Sequence, residues 1–552
     1  MIFLKSKIKY QLIFIWLIFL TVAFIFFGRI LGNFFVSDDF HWLQLSQETQ
    51  WSWRFFLTNY EGGNLGGSYN PLLLVIFKIF YAGFGLKYFC YHLASIVLQA
   101  TNAFLVYVLA RQLFHSFELK QFKNWSFLAG FLFLIWPTQV ESVAWVSAWP
   151  HLWMTLFYLC SLTVYFYFHQ MRRWPILVLS ILFFIIALLI KEVAISLPLV
   201  ILIWEIYFFS VAQRNQVSDK KKPKFFLFYL LILLFFMIGR YQSTGLLFGY
   251  YAQAHFELSI IGWIGNLAGY INELVSVGHW RGLFFKLEYY YLDSVVIMFL
   301  TILSLYFFYL FTKFKWFQFT LLVSLFFSLG PVMALMLHRF TFSGERYLYL
   351  PAVFFVLWLI FLLARIKLAD KLKLALMAII FFSCFIIIQQ KISIWQESSR
   401  LSQQIVESYA DLNLSAGQEL ISVGLPDNLS GAEVFRNNLQ QALEFYYPAN
   451  HPQIKPLPVY TQLSLDNINT SLLKWRQDAL GWFAESINGG YVVTGQTSIV
   501  FNEVYFELWN YNYQNYTANV IRLIPKEELK DKIINQEVYW LTFDQGRLKL
   551  VN

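Results

Sequence analysis

Two adjacent carboxylates, Asp38 and Asp39, stand in the run V-S-D-D-F-H (Val36–His41), directly after the first apolar segment of the chain. A carboxylate where a helix meets a large loop can accept a proton from a nucleophilic hydroxyl, the step that activates an alcohol acceptor. Other polar groups recur at loops and helix ends that the charge pattern below assigns to the same side: His41, Glu141, Lys191, Glu192, Arg240, His255, His338, Arg339, Glu345 and Arg346. Lysine and arginine hold anions, and arginine's planar fork grips phosphate bidentately. Acids and cations on one face describe a site that takes a proton and holds an anionic group.

Each residue also has a plainer reading. Asp38 and Asp39 can cap the helix that follows, and Lys191 with Glu192, or Glu345 with Arg346, can neutralise each other at a helix end. His255 and His338 suit interfacial or packed positions. No P-loop, no G-x-G-x-x-G after a strand and no zinc-ligand spacing occurs. Cys90, Cys160 and Cys384 all fall in apolar segments, where they act as small buried hydrophobes rather than as a disulfide or metal framework.

The elements that must position these groups are membrane helices. Of 552 residues 58% are hydrophobic and 13% charged, against about 25% charged in soluble domains, which excludes an ordinary soluble enzyme. Apolar runs of roughly 17 or more residues recur from Gln11 to about Gln389, each able to cross roughly 30 Å of hydrocarbon. The net charge of +9 is no sign of a nucleic-acid partner, since much of it lies in short loops, where it sets topology. Lys5, Lys7 and Lys9 place the N-terminus in the cytoplasm, and the first apolar stretch, too long for a signal peptide, is a retained helix. Arg111, the pair Arg172 and Arg173, the block from Arg214 to Lys224, Lys313 with Lys315, and Arg365 to Lys371 mark later cytoplasmic loops.

About eleven crossings result, with Asp38 and its companions outside. A first outside loop of about 37–70 carries interfacial helices, and Ile260–Val277 is a partly immersed helix rather than a crossing. A transmembrane domain of residues 1–390 is followed by an extracytoplasmic α+β domain of residues 391–552. In the latter, Glu419–Gly424, Ser498–Leu508 and Val538–Val551 read as strands, the last as a hairpin, and Gly431–Tyr447 as a helix.

Several motifs resemble those of polytopic membrane glycosyltransferases that often carry tetratricopeptide repeats, relatives of the protein O-mannosyltransferases. L-I-W-P-T-Q-V-E-S-V-A-W-V-S-A-W-P-H-L-W-M-T-L-F-Y-L (Leu134–Leu159) resembles their H-P-V-H-x-E-A-V-A-W-I-S-G-R-x-D. S-Y-N-P-L is similar to Y-R-P-L, I-K-E-V-A-I-S-L-P-L to S-K-E-x-A-x-T-L-P, G-E-R-Y-L-Y-L-P to E-R-Y-L-Y-L-P, and W-Q-E-S-S-R-L to W-x-D-S-x-x-L. The resemblance covers roughly Asp38 to Leu401 and implies the GT-C fold, a polytopic α-helical membrane enzyme that takes a sugar from a polyprenyl-phosphate carrier on the non-cytoplasmic side. It implies Asp38 as general base or acceptor-orienting group, with Asp39 its partner. Lys191, Arg240 and Arg346 would hold the lipid phosphate. His41, Glu141, Glu192, His338 and Glu345 would orient sugar or acceptor, Glu141 and Glu345 alternatively a divalent cation.

The chain departs from the relatives at Trp136 and Gln139, where they often have His, at Ala148 and Trp149, where they have Gly-Arg, and at Asn70, where they have Arg. The repeats are absent, and the tail instead carries L-P-D-N-L-S-G-A-E-V-F-R-N-N-L (Leu425–Leu439), similar to a segment of bacterial relatives; its Asp427 and Arg436 read as structural. The expected partners are a polyprenyl-phosphate-linked sugar, a glycan, lipid or protein acceptor and membrane lipid, and no nucleic acid. A bacterial inner membrane suits this set. Two other classes stay open: a carrier of lipid-linked saccharides, and a catalytically inactive assembly subunit.

Overall fold

The computed structural model describes residues 6–56, 69–116, 123–214, 224–247, 260–276, 315–333, 335, 343–365, 369–412, 414, 418–448, 453–456, 460–462, 464–465, 471–487, 490–492, 498–501, 504–512 and 517–551. Its helices are α1 (Ser6–Phe27), α2 (Asp39–Glu48), α3 (Pro71–Phe84), α4 (Tyr88–Ser116), α5 (Lys123–Leu134), α6 (Val140–Ala144), α7 (Trp149–Met171), α8 (Trp174–Ile190), α9 (Leu197–Arg214), α10 (Phe226–Thr244), α11 (Ile260–Ser276), α12 (Lys315–Leu329), α13 (Pro351–Arg365), α14 (Asp370–Ser408), α15 (Leu439–Tyr446) and α16 (Glu527–Ile534). Among the described residues seven helices are long and apolar enough to cross a membrane, and eight if the bent pair Asn124–Leu134 and Pro137–Ala144 counts as one span. The chain is a polytopic α-helical membrane protein. Every expected crossing is helical except Tyr291–Phe311, which lies outside the described residues.

The chain forms two compact units, one of residues 1–28 and 49–391 and the other of residues 29–48 and 392–552. In the first, small and polar side chains let helices approach. Ser161 of α7 and Ser180 of α8 donate to each other's backbone carbonyls at 2.8 and 2.6 Å, satisfying hydroxyls where no water competes. Gly130 of α5 lies so close to α4 that a Cβ there would meet the Ala103 carbonyl at 2.6 Å. The break after α5 has a local cause: Trp136 precedes proline and is extended (φ −73°, ψ 125°), because the Pro137 ring disfavours a helical neighbour. The backbone bends by 47° there and re-enters as α6, carrying Glu141. Helix α11 turns Tyr270, Asn272 and Glu273 into the protein, and Tyr270 donates its hydroxyl to the Leu335 carbonyl at 2.8 Å.

The second unit is α+β, with strands β1 (Glu419–Ser422), β2 (Asn428–Leu429), β3 (Ala432–Glu433), β4 (Gln453–Pro456), β5 (Tyr460–Gln462), β6 (Ser464–Leu465), β7 (Leu473–Gln477), β8 (Trp482–Ser486), β9 (Gly490–Val492), β10 (Ser498–Phe501), β11 (Val504–Asn512), β12 (Thr517–Pro525), β13 (Val538–Asp544) and β14 (Arg547–Val551). One sheet runs β14-β13-β1-β4, with β1 parallel to both neighbours; a second is built on the antiparallel path β10-β11-β12-β8-β7, with β5 and β9 attached; β3-β2-β6 form a third. Trp482 and Trp540 pack with ring centroids 5.7 Å apart.

Two expectations for the tail change. Ser498–Leu508 is not one strand but parts of two antiparallel strands, β10 and β11. The expected helix Gly431–Tyr447 is confined to α15, because Gly431 (φ 102°) and Asn438 (φ 69°) are left-handed and break a right-handed helix on both sides of a β3 strand. Residues 29–48, assigned from their position to the transmembrane domain, form part of this second unit. Its serines explain the attachment: Phe34 donates its N–H to Ser399 Oγ at 2.5 Å, and Ser402 donates to the Phe35 carbonyl at 2.8 Å. Ser399 lies within W-Q-E-S-S-R-L and Ser402 directly follows it.

Candidate active site

The two acids of Val36–His41 have different environments. Asp39 is buried, opens α2, and its Oδ2 accepts the Val36 N–H at 3.1 Å. It pins the turn that precedes the helix. Asp38 is half-buried, and its Oδ1 accepts the side-chain amide of Asn438 at 3.0 Å. Between Val36 and Asp38 the backbone passes through Ser37 at φ 43°, where its N–H donates to the Val434 carbonyl at 2.8 Å. A non-glycine residue there is strained and persists because its surroundings over-determine it. His41 follows one turn on with a buried Nε2 that has no hydrogen-bond partner among the described residues. Burial pushes the His41 imidazole below its ordinary value, against the nearby Asp38 carboxylate, which pulls it up.

The acids of the helical unit are matched to cations. Glu141 is fully buried and accepts the backbone N–H groups of Gly344 (3.1 Å) and Arg346 (2.6 Å) as well as the Arg346 guanidinium (2.5 Å). Arg346 also lies over the Trp145 and Tyr347 rings, at 5.0 and 4.8 Å. The P-T-Q-V-E-S-V and G-E-R-Y-L-Y-L-P motifs thus meet through one carboxylate. Glu192 pairs with buried Arg240 and accepts the Tyr69 N–H at 3.0 Å, joining I-K-E-V-A to S-Y-N-P. Glu345 takes Lys391 Nζ at 2.5 and 2.7 Å, with Glu273 of α11 beside the same carboxylate. His151, at the start of α7, is within electrostatic reach of both Lys191 and Arg346.

A fully buried polar relay holds this end of the helices. Tyr349 donates to Gln99 Oε1, and Asn102 donates to the Tyr349 hydroxyl and to the Leu152 carbonyl, each at 3.0 Å. This gives the second tyrosine of E-R-Y-L-Y a structural task. Trp149, where the relatives have arginine, fills an aromatic cluster with Phe77, Phe80 and Tyr91 and donates its indole N–H to Ser95 at 2.7 Å. That position is apolar core in this chain.

The expected site residues therefore fall into two sets. Glu141, Lys191, Glu192, Arg240, Glu345 and Arg346 belong to the helical unit, and Asp38, Asp39 and His41 to the α+β unit. His338, His255 and Arg339 lie outside the described residues. Among the described residues no group of three or more His, Cys, Asp or Glu side chains is placed to hold a metal ion. The sequence reading passed over Asn438, His151, Lys391 and Glu273. Lys391 and Glu273 carried a signal, since a charge in an apolar stretch is expensive without a partner. Asn438 carried none, being one asparagine of a polar loop.

The structure thus defines a polytopic membrane protein with an α+β unit and paired buried charges at its loop ends. No family model matches the chain. In sequence it is 32% identical over 130 residues to protein O-mannosyl-transferase Tmtc1 of Drosophila melanogaster, covering 24% of this chain and 14% of that protein. It is 26% identical over 225 residues to protein O-mannosyl-transferase tmtc2 of Xenopus laevis, covering 38% of this chain and 26% of that one. The chain therefore matches a minor share of the length of these curated relatives. Both relatives are named for the family that the motifs resemble. Among solved structures the chain is similar to ArnT from Cupriavidus metallidurans bound to undecaprenyl phosphate, with a TM-score of 0.37 and 12% identity over 79% of this chain and 89% of that one.

Proposed function

We propose that the protein is an integral-membrane glycosyltransferase of GT-C type that moves a sugar from a polyprenyl-phosphate carrier to a hydroxyl acceptor outside the cytoplasm, with Asp38 as base. The observation that carries the reading is the setting of Asp38: a half-buried carboxylate beside a strained turn, with Oδ1 held by a side-chain amide. The relatives' names, protein O-mannosyl-transferases, support the class of reaction.

In the proposed step the acceptor oxygen attacks the anomeric carbon as Asp38 takes the hydroxyl proton. The bond from that carbon to the carrier phosphate breaks with inversion, and the polyprenyl phosphate leaves with the electron pair. Protonated Asp38 then loses its proton to water. Phosphate is a good leaving group, so cations suffice to stabilise its charge and no second carboxyl acid is needed. Lys191, Arg240 and Arg346 are the proposed phosphate ligands. His41, Glu192 and His338 are assigned to sugar or acceptor. Glu141 and Glu345, so firmly tied to Arg346 and Lys391, act by fixing those cations.

A specific observation favours a second reading, an inactive assembly subunit: Trp149 turns a position that is arginine in the relatives into aromatic core. Incubating the purified full-length protein with a panel of radiolabelled polyprenyl-phosphate sugars and membrane acceptors tests both. Transfer that Asp38→Asn abolishes supports the enzyme; no transfer from any donor supports the subunit.

A further inference from the structure

The loop that faces Asp38 comes from the far end of the chain, 400 residues away. It belongs to Leu425–Leu439, and several bonds make it rigid. Val434 and Phe435 donate their N–H groups to the carbonyls of Asp427 and Pro426, both at 3.0 Å. Arg436 grips the buried Asp427 carboxylate with Nε and with Nη2, the latter at 3.0 Å, and pairs with Glu433 at 3.6 Å. Phe435 stacks on Phe40 of α2 at 5.8 Å, and Val434 holds Ser37 in its left-handed turn. Asp427 and Arg436 stiffen the wall opposite Asp38, and the Arg436 charge also acts on the Asp38 carboxylate.

Asn438 stands at the N-cap of α15. Asparagine at that position ordinarily turns its side-chain oxygen onto the first N–H groups of the helix. Here it makes no side-chain cap bond; it adopts φ 69° and its amide nitrogen donates to Asp38 Oδ1 instead. Two non-glycine residues in left-handed backbone, Ser37 and Asn438, thus flank one hydrogen bond. Strain of this kind is retained where it sets a functional geometry.

We infer that Asn438 is a positioning residue for the acid at Asp38: its amide fixes Oδ1 and turns Oδ2 toward the acceptor hydroxyl. The inference rests on the proposed role of Asp38 as base. It makes the α+β unit part of the catalytic apparatus rather than an appendage.

The test uses the full-length protein with Asn438→Gly, which adopts the same backbone freely and removes only the amide, and with Asn438→Asp, which puts a carboxylate in its place. With radiolabelled polyprenyl-phosphate mannose and native membranes as acceptor, Asn438→Gly lowers kcat by about ten- to a hundredfold, the weight of a hydrogen bond to a charged group. Donor KM stays unchanged while kcat falls, a split that general loss of fold would not give; Asn438→Asp loses more, because like charges face each other. The rate of carbodiimide labelling of Asp38 at one fixed pH, read by mass spectrometry, needs no substrate and changes in Asn438→Gly. Unchanged kcat and an unchanged labelling rate in Asn438→Gly overturn the inference. Asp38→Asn separates the two claims: if it stays active the base reading fails, and if it is inert while Asn438→Gly behaves as wild type, the positioning claim alone falls.

Discussion

Three acids of the helical unit and the acid pair of Val36–His41 are held in different ways. In the helical unit Glu141, Glu192 and Glu345 each meet a cation, Arg346, Arg240 and Lys391 respectively. In Val36–His41, Asp39 accepts a backbone N–H and Asp38 a side-chain amide, with the Arg436 charge acting on Asp38 from the facing loop. A carboxylate bonded to a buried cation is a strut that ties two distant segments together. One that accepts a side-chain amide is oriented by it. The contrast sorts acids that sequence position alone would class together.

The largest stability change should come from breaking a strut. Lys391→Met leaves Glu345 and Glu273 buried beside each other without the ammonium and is expected to cost about 3–5 kcal/mol, while Lys391→Met with Glu345→Gln recovers much of it. Thermal unfolding in detergent checks this; equal stability of both variants would break the comparison. Next is Gly481→Ala, whose Cβ would meet the Leu523 carbonyl at 2.1 Å. Overpacking between β8 and β12 is expected to cost about 1–3 kcal/mol. The loss should be confined to the α+β unit, which hydrogen exchange of the two units can resolve.

A smaller effect follows from His41. Its folded imidazole lies below the unfolded value of 6.5, so the unfolded chain takes up the proton first on acidification. This contribution is complete above about pH 6.5 and is lost as pH falls toward the folded value. Tm should therefore drop less in His41→Gln than in the wild type between about pH 7.5 and 5.5. An equal drop would show that the buried imidazole does not set this dependence.

Much of this was legible in residue order. Apolar length and loop charge carry the helices, because crossing hydrocarbon demands long apolar runs whatever their packing. The break at Trp136 also has a local cause, since proline acts on the residue before it. What could not be read were pairings between distant residues. Nothing local joins Glu141 to Arg346, 205 residues on, or Asp38 to Asn438. The misplaced helix at Gly431–Tyr447 failed because two left-handed residues override an otherwise helical pattern, one of them an asparagine whose conformation depends on a distant partner. The charge and position of Asp38 are legible in the sequence; its bond to Asn438, 400 residues on, is not.

The most direct test compares Asp38→Asn with wild type at equal amounts of folded, full-length protein, measuring transfer from a radiolabelled polyprenyl-phosphate sugar beside the Tm of each. The account predicts a loss on the order of a thousandfold in transfer, the weight of a general base, with Tm unchanged. Transfer at the wild-type rate from stable Asp38→Asn would contradict it.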